Sequence, residues 1–297
     1  MSATPVASVI IRTLNEAPSI GGVLGAVLAQ QGAGPVEVVV IDSSSSDATR
    51  EIARRFPVRL EVIERGAFTF GGALNLGARL AKAPLCVHLS GHSRPTDDRW
   101  LDALLTPFAD ARVVATYGRQ RALPGVNTYE EIELERAFPA GSAAAGGRQF
   151  FSNANCAIRR ARLLERPFDD AITSMEDALW LHGLARHERV VYVPEAAVFH
   201  SHPLRFAYWY ARYWRDGVAY RYLSTRGGLD LLPERSLRPR RRVVTVAHEW
   251  LGVTSALAAR GAWRHLAAYP LFCALREVAL HRGLRHGRRL YHTQPTP

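Results

Sequence analysis

Cysteine is scarce. The 297 residues hold three, Cys86, Cys156 and Cys273, far apart and without CxxC spacing. An odd, scattered set excludes a disulfide framework and a zinc knuckle. Each lies among apolar neighbours, so buried free thiols in a reducing compartment are expected. Long hydrophobic runs are missing too. Val6–Ile11, the first apolar run, is too short for a secretory leader and lacks a basic flank. No stretch reaches the roughly 18 apolar residues of a membrane span. The sequence therefore reads as a cytoplasmic protein. Lysine is almost absent: Lys82 stands alone among the basic residues, an arginine bias to which no function is attached.

Acidic residues are missing from one region only. Residues 201–297 carry 17 basic residues against 5 acidic, whereas residues 1–200 carry 21 against 22. The whole net charge of +11 thus lies in the last third. Nucleic acid is one partner for such a charge, but no recognition motif accompanies it and none is expected. A solvated helical face is a second reading. A helix lying on an anionic membrane surface is a third, because Trp250, Leu251, Trp263, Leu266, Tyr269, Leu271 and Phe272 alternate with Arg260, Arg264 and Arg276.

What is present is a rhythm. Mainly apolar, β-branched segments at Val6–Ile11, Val36–Ile41, Val58–Ile63, Leu85–Leu89 and Val113–Tyr117 predict strands. Helical spacing fills the intervals at 19–30, 47–56, 72–83 and 97–105, with Ser19 as an N-cap for the first. This alternation predicts an α/β fold whose largely parallel sheet has helices on both faces. Small residues crowd 139–147, a strand is expected at 150–158, a helix at 174–186 and a strand at 190–193 ending at Pro194. Helical patterns resume from about 204, a Pro/Arg-rich connector follows at 233–242, and one or two amphipathic helices at 243–280. In such sheets ligands bind beyond the carboxyl ends of the strands. Those ends carry Arg12, Thr13, Asn15 and Glu16; then Asp42 to Asp47; then Ser90, Gly91 and His92.

The segments Ala7–Glu16 and Val38–Thr49 resemble the N-terminus of family 2 glycosyltransferases in wording and spacing. The resemblance continues through Leu74–Gly77, Asn153–Arg160 and the Glu176-Asp177 pair, and covers roughly 6–225. Phe68–Gly72 and Val198–His202 are most similar to bacterial rhamnosyltransferase-type members. It implies a GT-A (Rossmann-like) catalytic domain at 1–225, a basic amphipathic helical tail at 226–297, and inverting transfer from a UDP- or dTDP-sugar to a glycan, lipid-linked or small-molecule hydroxyl. A homo-oligomer is compatible with it.

By that resemblance Thr13, Asn15, Glu16, Asp42, Asn75, Ser90 and Gly91 bind the nucleotide. Asp42 would accept from a base imide N–H and Glu16 would reach ribose hydroxyls; a turn and helix cap is the other reading for Asp42 and the preferred one for Asp47. Asp177 would be the general base, oriented by Glu176. Two acids favouring a helix N-terminus are the bland alternative. Asn153, Asn155 and Arg159 would contact donor sugar or acceptor.

One departure stands out. Where the family usually has a DxD metal site, this chain has Ser90-Gly91-His92. Imidazole is a competent ligand for Mn2+ or a softer divalent ion. His92 with His200 or His202 would therefore hold the divalent metal, Mn2+ or Mg2+; direct donation from His92 to phosphate, with His200 and His202 holding a loop, is the other reading. The lost carboxylates also leave open a catalytically inert nucleotide-sugar-binding or scaffold protein. A sugar-nucleotide pyrophosphorylase, which shares the architecture, would need a Gly-rich basic loop after the first strand, and it is lacking.

Overall fold

The computed structural model describes residues 4–141, 151–225 and 239–291, and for 239–248 the backbone only. Most of the small-residue run at 139–147, the start of the strand expected at 150, and the connector up to 238 lie outside the described residues. The chain divides into two compact units. The first comprises residues 1–123, 134–171 and 176–201; the second comprises 124–133, 172–175 and 202–297.

The first unit is built on one eight-stranded sheet of order β3-β2-β1-β4-β7-β6-β8-β5. The strands are β1 (Ala7–Thr13), β2 (Val36–Asp42), β3 (Arg59–Val62), β4 (Leu85–Ser90), β5 (Arg94–Pro95), β6 (Val113–Arg121), β7 (Asn155–Arg159) and β8 (Arg189–Phe199). β3, β2, β1 and β4 pair in parallel; β7 enters antiparallel to both β4 and β6, and β5 antiparallel to β8. Only β7 and β5 thus run against the rest, so the sheet is mostly parallel, as the rhythm implies, but mixed.

β1 shows why the sheet is covered on both sides. Val9 and Ile11 enter one buried cluster, with α1 (Ile20–Leu28), α2 (Thr49–Ala53) and α4 (Trp100–Leu105). Ile10 enters the opposite cluster, with α3 (Phe70–Leu80), and with Leu163 and Trp180 of α6 (Arg160–Glu165) and α7 (Glu176–His182). Alternation along a strand is what sends neighbours to opposite faces. α3 lies so close to β1 that a Cβ on Gly77 would strike the Ile10 side chain. Thr69 caps α3, its Oγ1 accepting from Gly72 N–H at 2.9 Å. Ser19 sits at the head of α1 without capping it; its hydroxyl donates to Glu16 Oε2 instead.

β8 is longer than its sequence suggests, because Pro194 lies inside it and does not end it. Proline has no N–H to give the ladder. The ladder with β6 shifts register there, pairing Gly118 with Val193 and next Gln120 with Val198. That irregularity lets β8 continue to Phe199 and carry His200 to the end of the sheet.

The second unit is helical and aromatic. It holds α8 (Phe206–Thr225), α9 (Pro239–Ala259), α10 (Trp263–Tyr291) and the start of α5 (Thr128–Ala137). Its core joins Tyr129, Trp209, Tyr213, Leu257, Tyr269 and Phe272. Tyr129 stacks on Phe272 with centroids 4.7 Å apart. α8 and α10 cross backbone to backbone, since a Cβ on Gly217 would meet Leu280 O and one on Gly283 would meet Trp214 O. α8 therefore shares a core with α10, and the division falls after Ser201, whereas the sequence suggests one after residue 225. Cys86 and Cys156 are buried free thiols as expected, but Cys273 on α10 is only half-buried. Among the described residues no helix is long and apolar enough to cross a membrane.

Candidate active site

Two loops leave the carboxyl ends of β1 and β2 and brace each other. Asp42, fully buried, receives Ser45 N–H at 2.8 Å on Oδ1 and the hydroxyls of Ser45 and Thr13 on Oδ2. Asn15 N–H donates to Ser45 Oγ, and Asn15 Oδ1 accepts from Ser46 N–H, both at 2.8 Å. Asn15 and Ser44 hold positive φ, 56° and 57°. Non-glycine residues adopt that region at a cost, which clusters where surrounding contacts impose it. Asp47 organises the next turn, accepting from Thr49 N–H and Ala17 N–H. Thr13, Asn15 and Asp42 thus shape the loops from within. The 3.2 Å bond from Thr13 is the longest of the three on Asp42.

A different group forms at the end of β4. Gly91 N–H donates to Arg12 O at 2.8 Å, and a Cβ on Gly91 would lie 3.0 Å from Arg12 O and 3.1 Å from Glu16 Cγ. Any larger residue would crowd the close approach of the β4 turn to the β1 loop. Ser90 O accepts from Ser93 N–H and closes the turn. His92 then projects with Nδ1 2.7 Å from Glu16 Oε1 and Nε2 2.9 Å from Nε2 of His200. His200 Nδ1 in turn meets Oε1 of Gln120. With Glu16 Oε1 and Gln120 Oε1 as acceptors, each Nδ1 is assigned as the protonated nitrogen. The two Nε2 lone pairs then converge, an arrangement that a cation between them, a proton or a metal ion, would satisfy. For two imidazoles bound side by side at about 2.0–2.1 Å the nitrogens would stand about 3 Å apart. The donor set fits a divalent cation. In this structure Glu16 contacts His92 through Oε1 and accepts from the Ser19 hydroxyl on Oε2. Gln120 is a partner that sequence reading missed. His202 belongs to the second unit, where its N–H and Nδ1 both engage the buried Glu130.

The acids Glu176 and Asp177 open α7. Glu176 is buried, with Oε1 3.3 Å from Asn153 Nδ2. Asp177 accepts from Asn153 N–H at 3.2 Å on Oδ2 and from Ala178 N–H at 2.8 Å on Oδ1. Close packing by protein pushes the Asp177 carboxyl up to about 7, and the Glu176 charge adds to this, while the two N–H donors and Arg12 oppose it. Carboxyls driven apart in this way are how one fold assigns acid and base roles.

Arg12 was not singled out as a site residue from sequence. Its guanidinium lies over the Phe70 ring, 4.8 Å from the centroid, and its Nε and Nη1 are buried without hydrogen-bond partners. Burial lowers its pKa, and the charges of Glu176 and Asp177 oppose that. His88, fully buried below, is held neutral, lowered to about 3 by burial and then by Arg12. The sequence signal was there: an arginine at the end of an otherwise apolar buried strand.

Three expected site residues have other duties. Asn75 clasps Phe168, donating to its O at 2.9 Å and accepting its N–H at 3.0 Å. Asn155, fully buried, accepts from Trp100 Nε1 at 2.9 Å and donates to Ala196 O at 2.8 Å. Arg159 donates to Val113 O and Phe108 O at the far end of β7. In this structure these polar groups hold the scaffold together.

The family model described as Glycosyl transferase family 2 matches residues 8–171. The chain belongs to that family. It is similar to the O-antigen chain rhamnosyltransferase WbaN of Salmonella anatum, 25% identical over 206 residues, 62% of each chain. It is also similar to validoxylamine A glucosyltransferase of Streptomyces hygroscopicus subsp. jinggangensis, 39% identical over 93 residues, 30% of this chain and 22% of that one. The matches therefore span less than two thirds of these relatives' lengths. Among solved structures, a mannosyltransferase from Pyrobaculum calidifontis in complex with GDP-Man and Mn2+ has a TM-score of 0.64 at 20% identity, covering 99% of this chain and 89% of that one. Glucosyl-3-phosphoglycerate synthase from Mycobacterium tuberculosis, with Mn2+, UDP and glucosyl-3-phosphoglycerate, has 0.56 at 19%, covering 74% and 79%. The fold of this family 2 chain is GT-A, with a C-terminal helical extension.

Proposed function

We propose that this chain is an inverting glycosyltransferase that moves a sugar from a UDP- or dTDP-sugar to a hydroxyl of a glycan, lipid-linked or small-molecule acceptor. The observation that carries the reading is the pair of convergent Nε2 atoms of His92 and His200, backed by Glu16 and Gln120, where the family usually places carboxylates. Side-by-side imidazoles suit Mn2+ better than Mg2+. Bound there, the ion would supply positive charge to the diphosphate leaving group.

The chain's own residues do the rest. The loops braced by Asp42, Asn15 and Ser45 hold base and ribose. The acceptor oxygen attacks the anomeric carbon as the bond to the diphosphate breaks, and Asp177 takes the hydroxyl proton on a carboxylate oxygen. A base with its pKa near the working pH is efficient at this. Glu176, held by Asn153, keeps Asp177 basic. Arg12, buried over the Phe70 ring, adds positive charge beside Glu176 and Asp177. The basic second unit brings the enzyme to an anionic membrane surface, where a lipid-linked acceptor would reside.

The test is a thermal-shift series with UDP, dTDP and their sugars, with and without Mn2+. Stabilisation by one nucleotide, enhanced by Mn2+ and lost in His200→Ala, supports the reading. No shift with any nucleotide at millimolar concentration rejects it.

A further inference from the structure

The long helix α10 has two unlike faces. Tyr269, Phe272, Arg276, Ala279, Gly283 and Gly287 are buried in the second unit's core. The opposite face, at spacings of three and four, is exposed. Its first half is apolar, with Trp263, Ala267, Leu271, Ala274 and Val278; Trp263 and Leu271 are 64% and 63% exposed. Its second half is basic, with exposed Arg282, Arg285 and Arg289, and Arg264 flanks the start. Glu277, the one acid on the helix, is half-buried and pairs with Arg276 at 3.8 Å. No exposed position on α10 bears a negative charge.

We propose that this outer face of α10 is the surface by which the protein lies on an anionic lipid bilayer, Trp263, Leu271 and Val278 entering the acyl boundary and the arginines meeting phosphate headgroups. Three features of the face favour that occupant over others. An apolar row beside a cation row matches the boundary between acyl chains and anionic headgroups. A second copy docked in parallel would set Arg282, Arg285 and Arg289 against themselves, and docked antiparallel would set them against the apolar half. Nucleic acid offers phosphate but no apolar layer for Trp263 and Leu271. The inference deepens the membrane part of the proposed function and does not need the donor assignment.

The test uses the full chain and two sets of surface variants, Trp263→Ser with Leu271→Ser, and Arg264→Gln with Arg282→Gln and Arg285→Gln. Each is sedimented with phosphatidylglycerol-containing vesicles, with neutral phosphatidylcholine vesicles, and alone, at low and high salt. The same preparations are assayed for melting temperature and nucleotide-induced shift, so failure of docking and failure of the catalytic reading stay separable. The wild type should bind anionic vesicles at low salt and release as salt rises. Each arginine removed should lower partitioning about fivefold, and the apolar pair should weaken binding at every salt concentration, with melting unchanged. Binding unaffected by either set, or no binding to anionic vesicles, overturns the proposal. Self-association abolished by the same substitutions, without vesicle binding, overturns it in favour of a second copy.

Discussion

Replacing Asp177 by asparagine separates its chemistry from its cost to the fold. Packing and the Glu176 charge raise its carboxyl from 3.8 to about 7. A folded-state pKa above the unfolded one means the folded protein prefers the protonated form. The penalty for holding the charge is therefore absent below about pH 4, grows through the window between, and is complete above about pH 7. Three pH units correspond to at most about 4 kcal/mol, and partial exposure of Asp177 reduces this to about 2–4. Asparagine keeps one acceptor oxygen for the N–H groups of Asn153 and Ala178 and turns an NH2 toward the other, at about 1–3 kcal/mol. The variant should thus be less stable than wild type at pH 4 and equal to it or more stable at pH 8. Denaturant unfolding of both proteins across that range reads the difference, in which the groups that do not interact with Asp177 cancel. Nucleotide binding should survive, and transfer should fall by about two or more orders of magnitude. A stability difference that does not change with pH, or near-wild-type turnover, would refute the account of Asp177.

Glu16→Gln keeps the shape but removes the carboxylate from His92 Nδ1, and should weaken Mn2+ binding about 10–100-fold in an electron-spin-resonance titration. Gly91→Ala would press a methyl group against Arg12 O and Glu16, costing about 1–3 kcal/mol in denaturant unfolding and weakening Mn2+ binding together with it. Asn155→Ala strips partners from Trp100 Nε1 and Ala196 O and should cost at least about 2 kcal/mol while leaving nucleotide affinity unchanged. An equal loss of nucleotide affinity there would return Asn155 to the site.

The central strands were legible because buried parallel strands are dense in β-branched residues, as in Val38–Ile41. The antiparallel insertion of β7 was not, since direction leaves no mark on an apolar run such as Cys156–Ile158. Pro194 misled in the opposite way: proline usually ends a strand, but the irregular β6–β8 register accommodates it. Within the site, the loop and acid residues were visible as motifs. Sequence could not distinguish asparagines that hold backbone, such as Asn75 and Asn155, from Asn153, which holds the acids. Residue type is the same in each; only burial and partners differ. Gln120 was invisible as a site residue, and Arg12, though visible at the end of β1, could not be given a role, for a related reason. Their meaning depends on what lies across the sheet, His200 for one and Asp177 for the other.

The most direct test of glycosyl transfer is release of nucleoside diphosphate from a panel of UDP- and dTDP-sugars with Mn2+, and after chelation, using wild type, His92→Ala and Asp177→Asn. The account predicts turnover of at least one donor by wild type, loss on chelation or in His92→Ala, and loss in Asp177→Asn with nucleotide binding intact. Release that is indifferent to chelation and to both substitutions, or no release from any donor, would contradict it.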